Sequence, residues 1–407
     1  MKRILIISFF LLCQIGVTLA QTGRYEMPVF DEVLCTEGIR FSRAVTQGAT
    51  TTSNLYLDFY EPKGDTLSRR PLVITAFGGA FMFGSRDFVD MKEYCNRLAT
   101  YGYAAASIDY RLIPLIDVSS TNIIRAGYMA AQDVSAAVRF FKAHADRYRI
   151  DPEAIFLLGE SAGSVAMLHT VFMDDDERPV ETFIAPNLGG IHSSGLFETI
   201  QYSPSVAGVI SHWGGVLDLD ILDSDETTPV CFIHGTNDHT VPYTEGYSHT
   251  TLFSSEMPYM YGSLPISQRM ASQEHPDFEL HPFEGEIHAF YFTSTYQDLI
   301  MPKFDACFDI VKDFLLRHVT NHHGVETNST VPFSVYPNPA TDVLVVDGQL
   351  DGDEVFSVYD CFGKCWHTAS PDDEGFSVDV STFPAGLYVL VCKKNDKSFA
   401  IKFEKSN

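Results

Sequence analysis

An apolar run at residues 154–158 passes into Gly159-Glu160-Ser161-Ala162-Gly163, and a helix-forming stretch follows at 164–172. A chain written this way is constrained locally to a strand that turns sharply into a helix, with a serine on the turn. The flanking residues are small because neighbouring backbone passes close by, and the serine oxygen is raised clear of the sheet. Alone, a Gly-x-Ser-x-Gly pentapeptide often marks an ordinary turn. Its place between a strand and a helix makes Ser161 a nucleophile candidate.

The surrounding sequence alternates in the same manner from residue 25 to 318. Residues 72–77 and 104–110 are short apolar runs bounded by Gly or Pro, as expected of strands buried on both faces. Further strands are expected at 206–212, 230–234 and 278–282. Helices are expected at 89–101, 126–148 and about 297–318; in the second, Ala130, Val134, Ala137, Val138 and Phe141 recur at helical spacing. The pattern predicts an α/β fold, a mostly parallel sheet flanked by helices. Residues 320–332, with Asn321-His322-His323-Gly324 and Asn328-Ser329-Thr330, read as a polar linker, the paired histidines being solvated loop rather than metal ligands. Short strands then recur at 343–346, 355–359, 376–380, 387–392 and 399–403 with no helix among them, which predicts a small all-β sandwich.

A length of 407 residues suits two such domains, and 31 Phe, 19 Tyr and an apolar fraction of 45% supply core for both. The net charge of −25 excludes a nucleic-acid partner, which requires a basic face, and is read as a soluble acidic surface. Met1-Lys2-Arg3, an apolar run at 4–12 and Val17-Thr18-Leu19-Ala20 follow the order of a cleaved secretory signal. The run is too short to span a bilayer comfortably, and no later segment is long and apolar enough, so no transmembrane segment is expected. The expected division is therefore a signal peptide at 1–20, an α/β domain at 21–319, a linker at 320–332 and a β domain at 333–407. Loss of the signal removes Cys13 and leaves seven cysteines, an odd count compatible with one or two disulfides of unreadable pairing. Cys361 and Cys365 lack a second Cys/His pair, so no metal site is expected.

A serine hydroxyl needs a base to take its proton and donors to hold the oxyanion that forms on attack. Gly78-Gly79-Ala80-Phe81 follows the strand at 72–77, where backbone N–H groups can point at a substrate oxygen. Asp238 lies in His234-Gly235-Thr236-Asn237-Asp238, just past the strand at 230–234, and loops at that end of an α/β sheet carry sites. His288 lies in Glu284-Gly285-Glu286-Ile287-His288, after the final strand and before the last helix; His249, His275 and His281 are alternatives in poorer positions. In this reading His288 takes the Ser161 proton, Asp238 fixes and steadies His288, and the N–H groups of Gly79, Ala80 and Ala162 form the oxyanion hole. Removing one such donor costs roughly 3 kcal/mol of barrier. Glu160, Phe77 and Phe81 are candidate pocket-lining residues. Stretches 173–202 and 244–273 are candidates for the pocket mouth, the second through Phe253, Met257, Tyr259, Met260 and Tyr261.

The order Ser161, Asp238, His288 is that of the α/β-hydrolases. Residues 40–318 resemble the carboxylesterase and lipase branch of that superfamily through the Gly-Glu-Ser-Ala-Gly turn and Gly78-Gly79-Ala80-Phe81. Asp109-Tyr110-Arg111-Leu112, the helix with Gln132-Asp133, and the His234–Pro242 segment add to the resemblance. One departure is Phe77, where the branch commonly has a histidine that helps hold the oxyanion loop. The tail, with Tyr336-Pro337-Asn338-Pro339-Ala340, Val358-Tyr359-Asp360-Cys361-Phe362-Gly363 and Phe383-Pro384-Ala385-Gly386-Leu387-Tyr388, resembles the C-terminal sorting domain of the type IX secretion system. These resemblances imply a serine ester hydrolase without cofactor, acting on a small-molecule or polysaccharide ester, with short acyl or acetyl groups foremost. They also imply the type IX machinery as partner, and release from or attachment to the surface of a Bacteroidota-type bacterium. A triacylglycerol lipase, a prolyl-oligopeptidase-type serine peptidase and a non-catalytic adhesion module are the alternatives. The peptidase would need a large propeller before the α/β domain.

Overall fold

The computed structural model describes residues 23–45, 52–248, 257–323, 333–348, 354–360, 364–370, 376–394 and 397–406. The expected signal peptide, Cys13, His249, Phe253, Cys361 and most of the expected linker lie outside them. The chain divides into a unit spanning Tyr25–Ser329 and a C-terminal unit from Thr330 onward.

In the larger unit the strands are β1 (Val33–Val45), β2 (Thr52–Pro62), β3 (Arg70–Ala76), β4 (Ala104–Ile108), β5 (Ile150–Glu160) and β6 (Gly208–His212). Then come β7 (Gly215–Val216), β8 (Val230–Gly235), β9 (Glu245–Tyr247), β10 (Tyr259–Gly262) and β11 (Phe278–Phe283). The helices are α1 (Val89–Thr100), α2 (Ser120–Ala143), the short α3 (Ala145–Tyr148), α4 (Ala162–Phe172), α5 (Ser263–Ser272) and α6 (Met301–His323). Eight strands form one sheet in the order β1-β2-β4-β3-β5-β6-β8-β11. The first two strands join antiparallel, and β4 through β11 run parallel. This is the expected α/β architecture, with an antiparallel edge that the apolar runs do not announce. The polar tract at 320–323 also differs from expectation: it extends α6 rather than opening a linker.

The centre of the sheet is dry. Leu72, Val73, Ile74, Ile155, Phe156, Leu157, Val209 and Phe232 are fully buried, because helices cover both faces of parallel strands. Helix α2 begins at Ser119, whose side chain accepts the Asn122 N–H at 3.2 Å as an N-cap. From Ala126 to Phe141 every residue of α2 is buried, because the loop at 178–199 lies over its outer side. Arg125 donates to the carbonyls of Glu181, Ile184 and Pro186, Gln132 to those of Leu188 and Gly190, and Arg139 to those of His192 and Ser194. Arg111 ion-pairs with the buried Asp133 at 2.8 Å, joining two of the sequence motifs. Burial pushes the Asp133 carboxyl up, and Arg111 opposes that shift. Cys35, Cys95, Cys231 and Cys307 are free thiols, so no disulfide forms among the described cysteines of this unit.

The C-terminal unit is all β: β12 (Phe333–Tyr336), β13 (Val343–Gly348) and β16 (Phe376–Asp379) form one antiparallel sheet. β15 (Cys365–Ala369), β14 (Val355–Asp360), β17 (Gly386–Lys394) and β18 (Lys397–Lys405) form another. Leu344, Val346, Phe356, Val358, Val378, Leu390 and Phe403 make its core. No helix among the described residues is long and apolar enough to cross a membrane.

Candidate active site

The turn that carries Ser161 is built by crowding. Ser161 sits at φ +53°, ψ −116°, between β5 and α4, a backbone region that costs of order 1–3 kcal/mol and persists only when its surroundings impose it. Here they do. A Cβ at Gly159 would lie 2.5 Å from the Ser164 backbone, and one at Gly163 would lie 2.2 Å from the Ala76 carbonyl oxygen. The Ser161 N–H donates to the His212 carbonyl at 2.9 Å, and its own carbonyl accepts from Val165 N–H at 2.9 Å. Only 7% of Ser161 is exposed.

The loops after β8 and β11 bring Asp238 and His288 to this serine. His288 Nε2 lies 2.9 Å from Ser161 Oγ, and His288 Nδ1 lies 2.7 Å from Asp238 Oδ2. The other carboxylate oxygen, Oδ1, accepts the N–H groups of Thr240 at 2.8 Å and Val241 at 3.2 Å, a local turn that Asp commonly makes. Burial alone would raise this carboxyl, but His288 and the hydrogen bonds from His234 and His288 outweigh it and hold it at about 2. Asp238 is therefore ionised and can only accept, so His288 Nδ1 carries the hydrogen of that bond and Nε2 offers its lone pair to Ser161. Of the alternative histidines, the two among the described residues are not brought to the serine: His281 is on β11 beside Glu279, and His275 precedes that strand.

The loop at 77–84 faces the serine. Gly79 O accepts the N–H groups of Met82 and Phe83, each at 3.0 Å, closing a tight turn. Ala80 and Phe81 take φ +52° and +62°, so two consecutive non-glycine residues are held in the left-handed region. Ala162 opens α4, and first-turn amides have no acceptor within their own helix. Ala80, Phe81 and Ala162 line the same cavity as Ser161.

Two of the expected lining residues are elsewhere. Phe77 is buried and stacked on Tyr110, with ring centroids 4.3 Å apart, and the Tyr110 hydroxyl donates to the Phe77 carbonyl at 2.8 Å. Glu160 is buried behind the turn, where it accepts from Trp213 Nε1 at 2.7 Å and from the Gly78 N–H. Successive strand residues point to opposite sides, so the residue before Ser161 faces away from the pocket. Burial raises the Glu160 carboxyl, while the charge of His288 acts in the opposite direction. Tyr110 and Glu160 thus support the loop at 77–84, where a histidine at position 77 is lacking. Trp213 stands in no sequence motif that would mark it as part of the site.

The cavity beside Ser161 has a volume of about 50 Å³ and is apolar, walled by Ile123, Val165, Met173, Leu217, Val241 and Met260 among others. Met173, Pro179, Ile124, Leu217 and Pro258 also border a wider outer cavity of about 310 Å³, which Glu177, Glu181, Asp218 and Tyr259 make acidic and polar. Both expected mouth stretches therefore contribute walls. His169, on α4 below the pocket, donates from Nδ1 to the Val165 carbonyl at 2.7 Å; burial lowers its pKa to about 4. Among the described residues, Cys231, Glu279 and His281 have ligand atoms within 4.8 Å of one another, but Glu279 is ion-paired with Arg317. No group with metal-ligand spacing among the described residues includes Ser161, Asp238 or His288.

A serine on a strand-turn-helix, with loops after the later strands of this sheet order bringing a histidine and an aspartate to it, is the arrangement of the α/β-hydrolase fold. Residues 57–226 match the BD-FAE family profile, an esterase-like α/β-hydrolase domain, and residues 334–405 match the secretion system C-terminal sorting domain. Esterase-5B of Drosophila persimilis is 27% identical over 153 residues, 38% of this chain and 28% of that protein. The probable isoprenylcysteine alpha-carbonyl methylesterase ICMEL1 of Oryza sativa subsp. japonica is 26% identical over 222 residues, 46% of this chain and 48% of that protein. The chain thus spans about a quarter to a half of the length of these relatives. Among solved structures, Thermogutta terrifontis esterase 2 phosphorylated by paraoxon is similar at 22% identity and a TM-score of 0.45, covering 65% of this chain and 89% of that one.

Proposed function

We propose that this protein is an exported serine carboxylic-ester hydrolase that works through an acyl-enzyme on short acyl, foremost acetyl, esters of small molecules or polysaccharides. The observation that carries the proposal is the Ser161 Oγ to His288 Nε2 approach of 2.9 Å, backed by the 2.7 Å bond to Asp238, at the mouth of a small apolar cavity. Ser161 Oγ attacks the ester carbonyl while His288 Nε2 takes its proton. Asp238 stays ionised and steadies the imidazolium. The N–H groups of Gly79, Ala80 and Ala162 receive the oxyanion, His288 passes the proton to the leaving alcohol, and water repeats the sequence to free the acid. A cavity of about 50 Å³ is room for a few waters, each needing at least ~10–15 Å³, which favours short acyl groups. The N-terminal signal pattern and the sorting domain support export through a type IX system to the medium or the outer surface of a Bacteroidota-type bacterium.

The test is hydrolysis of p-nitrophenyl esters from acetate to palmitate by the mature protein and by Ser161→Ala. Activity that peaks at short chains and vanishes in the variant is expected. A peak at long chains would replace this reading with a lipase. Activity surviving in the variant, or none in either protein, would overturn the serine mechanism on these esters.

A further inference from the structure

The carboxylate oxygen that faces His288 is shared with a second histidine. His234, the fifth residue of β8 and fully buried, places Nε2 at 3.1 Å from Asp238 Oδ2 and 3.0 Å from the Val241 carbonyl oxygen. Both are acceptors, so Nε2 carries a hydrogen and donates between them. The opposite ring nitrogen, Nδ1, meets the Ser263 hydroxyl at 2.8 Å. Five side chains thus form one chain of hydrogen bonds: Ser263, His234, Asp238, His288 and Ser161.

We propose that His234 is a positioning residue that locks the Asp238 carboxylate in line with His288, and that Ser263 ties this lock to the wall of the acyl pocket. The proposal rests on the triad reading given above. Backbone amides of Thr240 and Val241 fix only Oδ1. Oδ2 is held from two sides by imidazoles, one from the buried strand β8 and one from the half-exposed loop that bears the base. Tyr243 packs edge-on against His234, with centroids 5.5 Å apart, and completes its enclosure. Ser263 is held in turn. The Gly262 N–H donates to Thr244 O at 2.6 Å and the Leu264 N–H to Tyr243 O at 3.1 Å. Ser263 directly follows β10, whose Met260 lines the pocket beside Ser161. A displacement of that wall therefore reaches Asp238 through two hydrogen bonds. The structure assigns a task to the histidine of the His-Gly-Thr-Asn-Asp run that the motif itself does not explain.

The test compares the full chain with Ser161→Ala, His234→Phe, His234→Gln and Ser263→Ala on p-nitrophenyl butyrate, with a thermal melt for each. Misplacing a reacting group by a fraction of an ångström lowers rate without weakening ground-state binding, so His234→Phe is expected to lose on the order of 10–100-fold in kcat with KM within about two-fold. His234→Gln can present an N–H to the same oxygen and is expected to recover most of that loss, with Ser263→Ala lying between. The downfield proton resonance of the His288–Asp238 bond is expected to persist in wild type and His234→Gln and to shift or broaden in His234→Phe. Unchanged kcat and resonance in a folded His234→Phe, or equal losses in the Phe and Gln variants, would overturn the proposal. Should His234→Phe not fold, Ser263→Ala at the wild-type rate with an unmoved resonance would overturn it instead. Wild type that is inert, or indifferent to Ser161→Ala, defeats the functional reading, and the resonance then still decides the role of His234.

Discussion

The two ends of the proposed triad are held by different means. Ser161 follows the central strand β5, and from Ala154 to Thr170 every residue is buried. Its position is set by contact, since close backbone approaches leave the turn no other path. His288 follows the edge strand β11, in a loop where Glu284, Gly285 and Ile287 are exposed. Its position is set by bonds: Glu286 O accepts the Asn237 N–H at 2.9 Å, the Gly285 N–H reaches Thr236 Oγ1 at 2.8 Å, and Tyr291 Oη donates to the buried Asp90 at 2.9 Å. Packing is intolerant of added atoms but indifferent to salt. The bonded loop tolerates added atoms at its exposed positions, though not where Gly235 meets it, a Cβ there lying 2.4 Å from the Glu286 carbonyl oxygen, and it responds chiefly to loss of a donor or acceptor.

The largest expected effect breaks the bonded end. Asp238→Asn keeps the shape but permits the wrong His288 tautomer, and kcat is expected to fall on the order of 10⁴-fold. Acid tests the packed end next. His169 and His212 adjoin the nucleophile turn, and burial lowers their pKa values to about 4 and about 3. Unfolding lets both return to near 6.5, so below that value the unfolded chain binds more protons and stability falls as pH drops toward 4. The loss from His169 alone is on the order of 3 kcal/mol, read by denaturant melts at pH 7, 5.5 and 4. Asp238 adds its own loss only between about pH 4 and 2, because its folded pKa lies at about 2. Gly163→Ala, which drives a methyl into the Ala76 carbonyl, is expected to cost roughly 1–3 kcal/mol and to lower activity in proportion to misplacement of the turn. At the small end, Lys303→Ala removes the 2.6 Å pair with Glu286, which is half-exposed. It should cost less than about 1 kcal/mol, an effect that shrinks further in 1 M salt.

The same contrast explains what could be read in the chain beforehand. Crowding leaves a sequence trace, because Gly159, Ala162 and Gly163 are the residues that a tight turn under neighbouring backbone admits. Asp238 and His288 are legible through their places after apolar strands, in the order the fold requires. Glu160 is not: a charged residue beside the nucleophile invites a role in the pocket, yet strand alternation sends it inward to Trp213 and Gly78. Phe77 is likewise turned into the core against Tyr110. The hairpin β1–β2 escapes notice because the edge strand β1 is buried at few of its residues and Asp58 interrupts the apolar positions of β2, so neither shows a continuous apolar run. Strands β7, β9 and β10 hold two, three and four residues, too few to show any period. The partners that steady the base loop are scattered from Asp90 to Lys303, and no local pattern joins them.

The unpaired thiols have a practical consequence. Burial lifts the Cys95 thiol to about 12 and pushes Cys231 and Cys307 upward as well, so in the folded chain they are both shielded and protonated. They sit on α1, β8 and α6, three separate parts of one unit. A thiol-reactive reagent that modifies them must wait for each neighbourhood to open, since the reactive species is the exposed thiolate. Timed alkylation followed by mass analysis would therefore clock the opening of the helical layer, the sheet and the C-terminal helix separately. The protein carries three built-in stopwatches for its own unfolding.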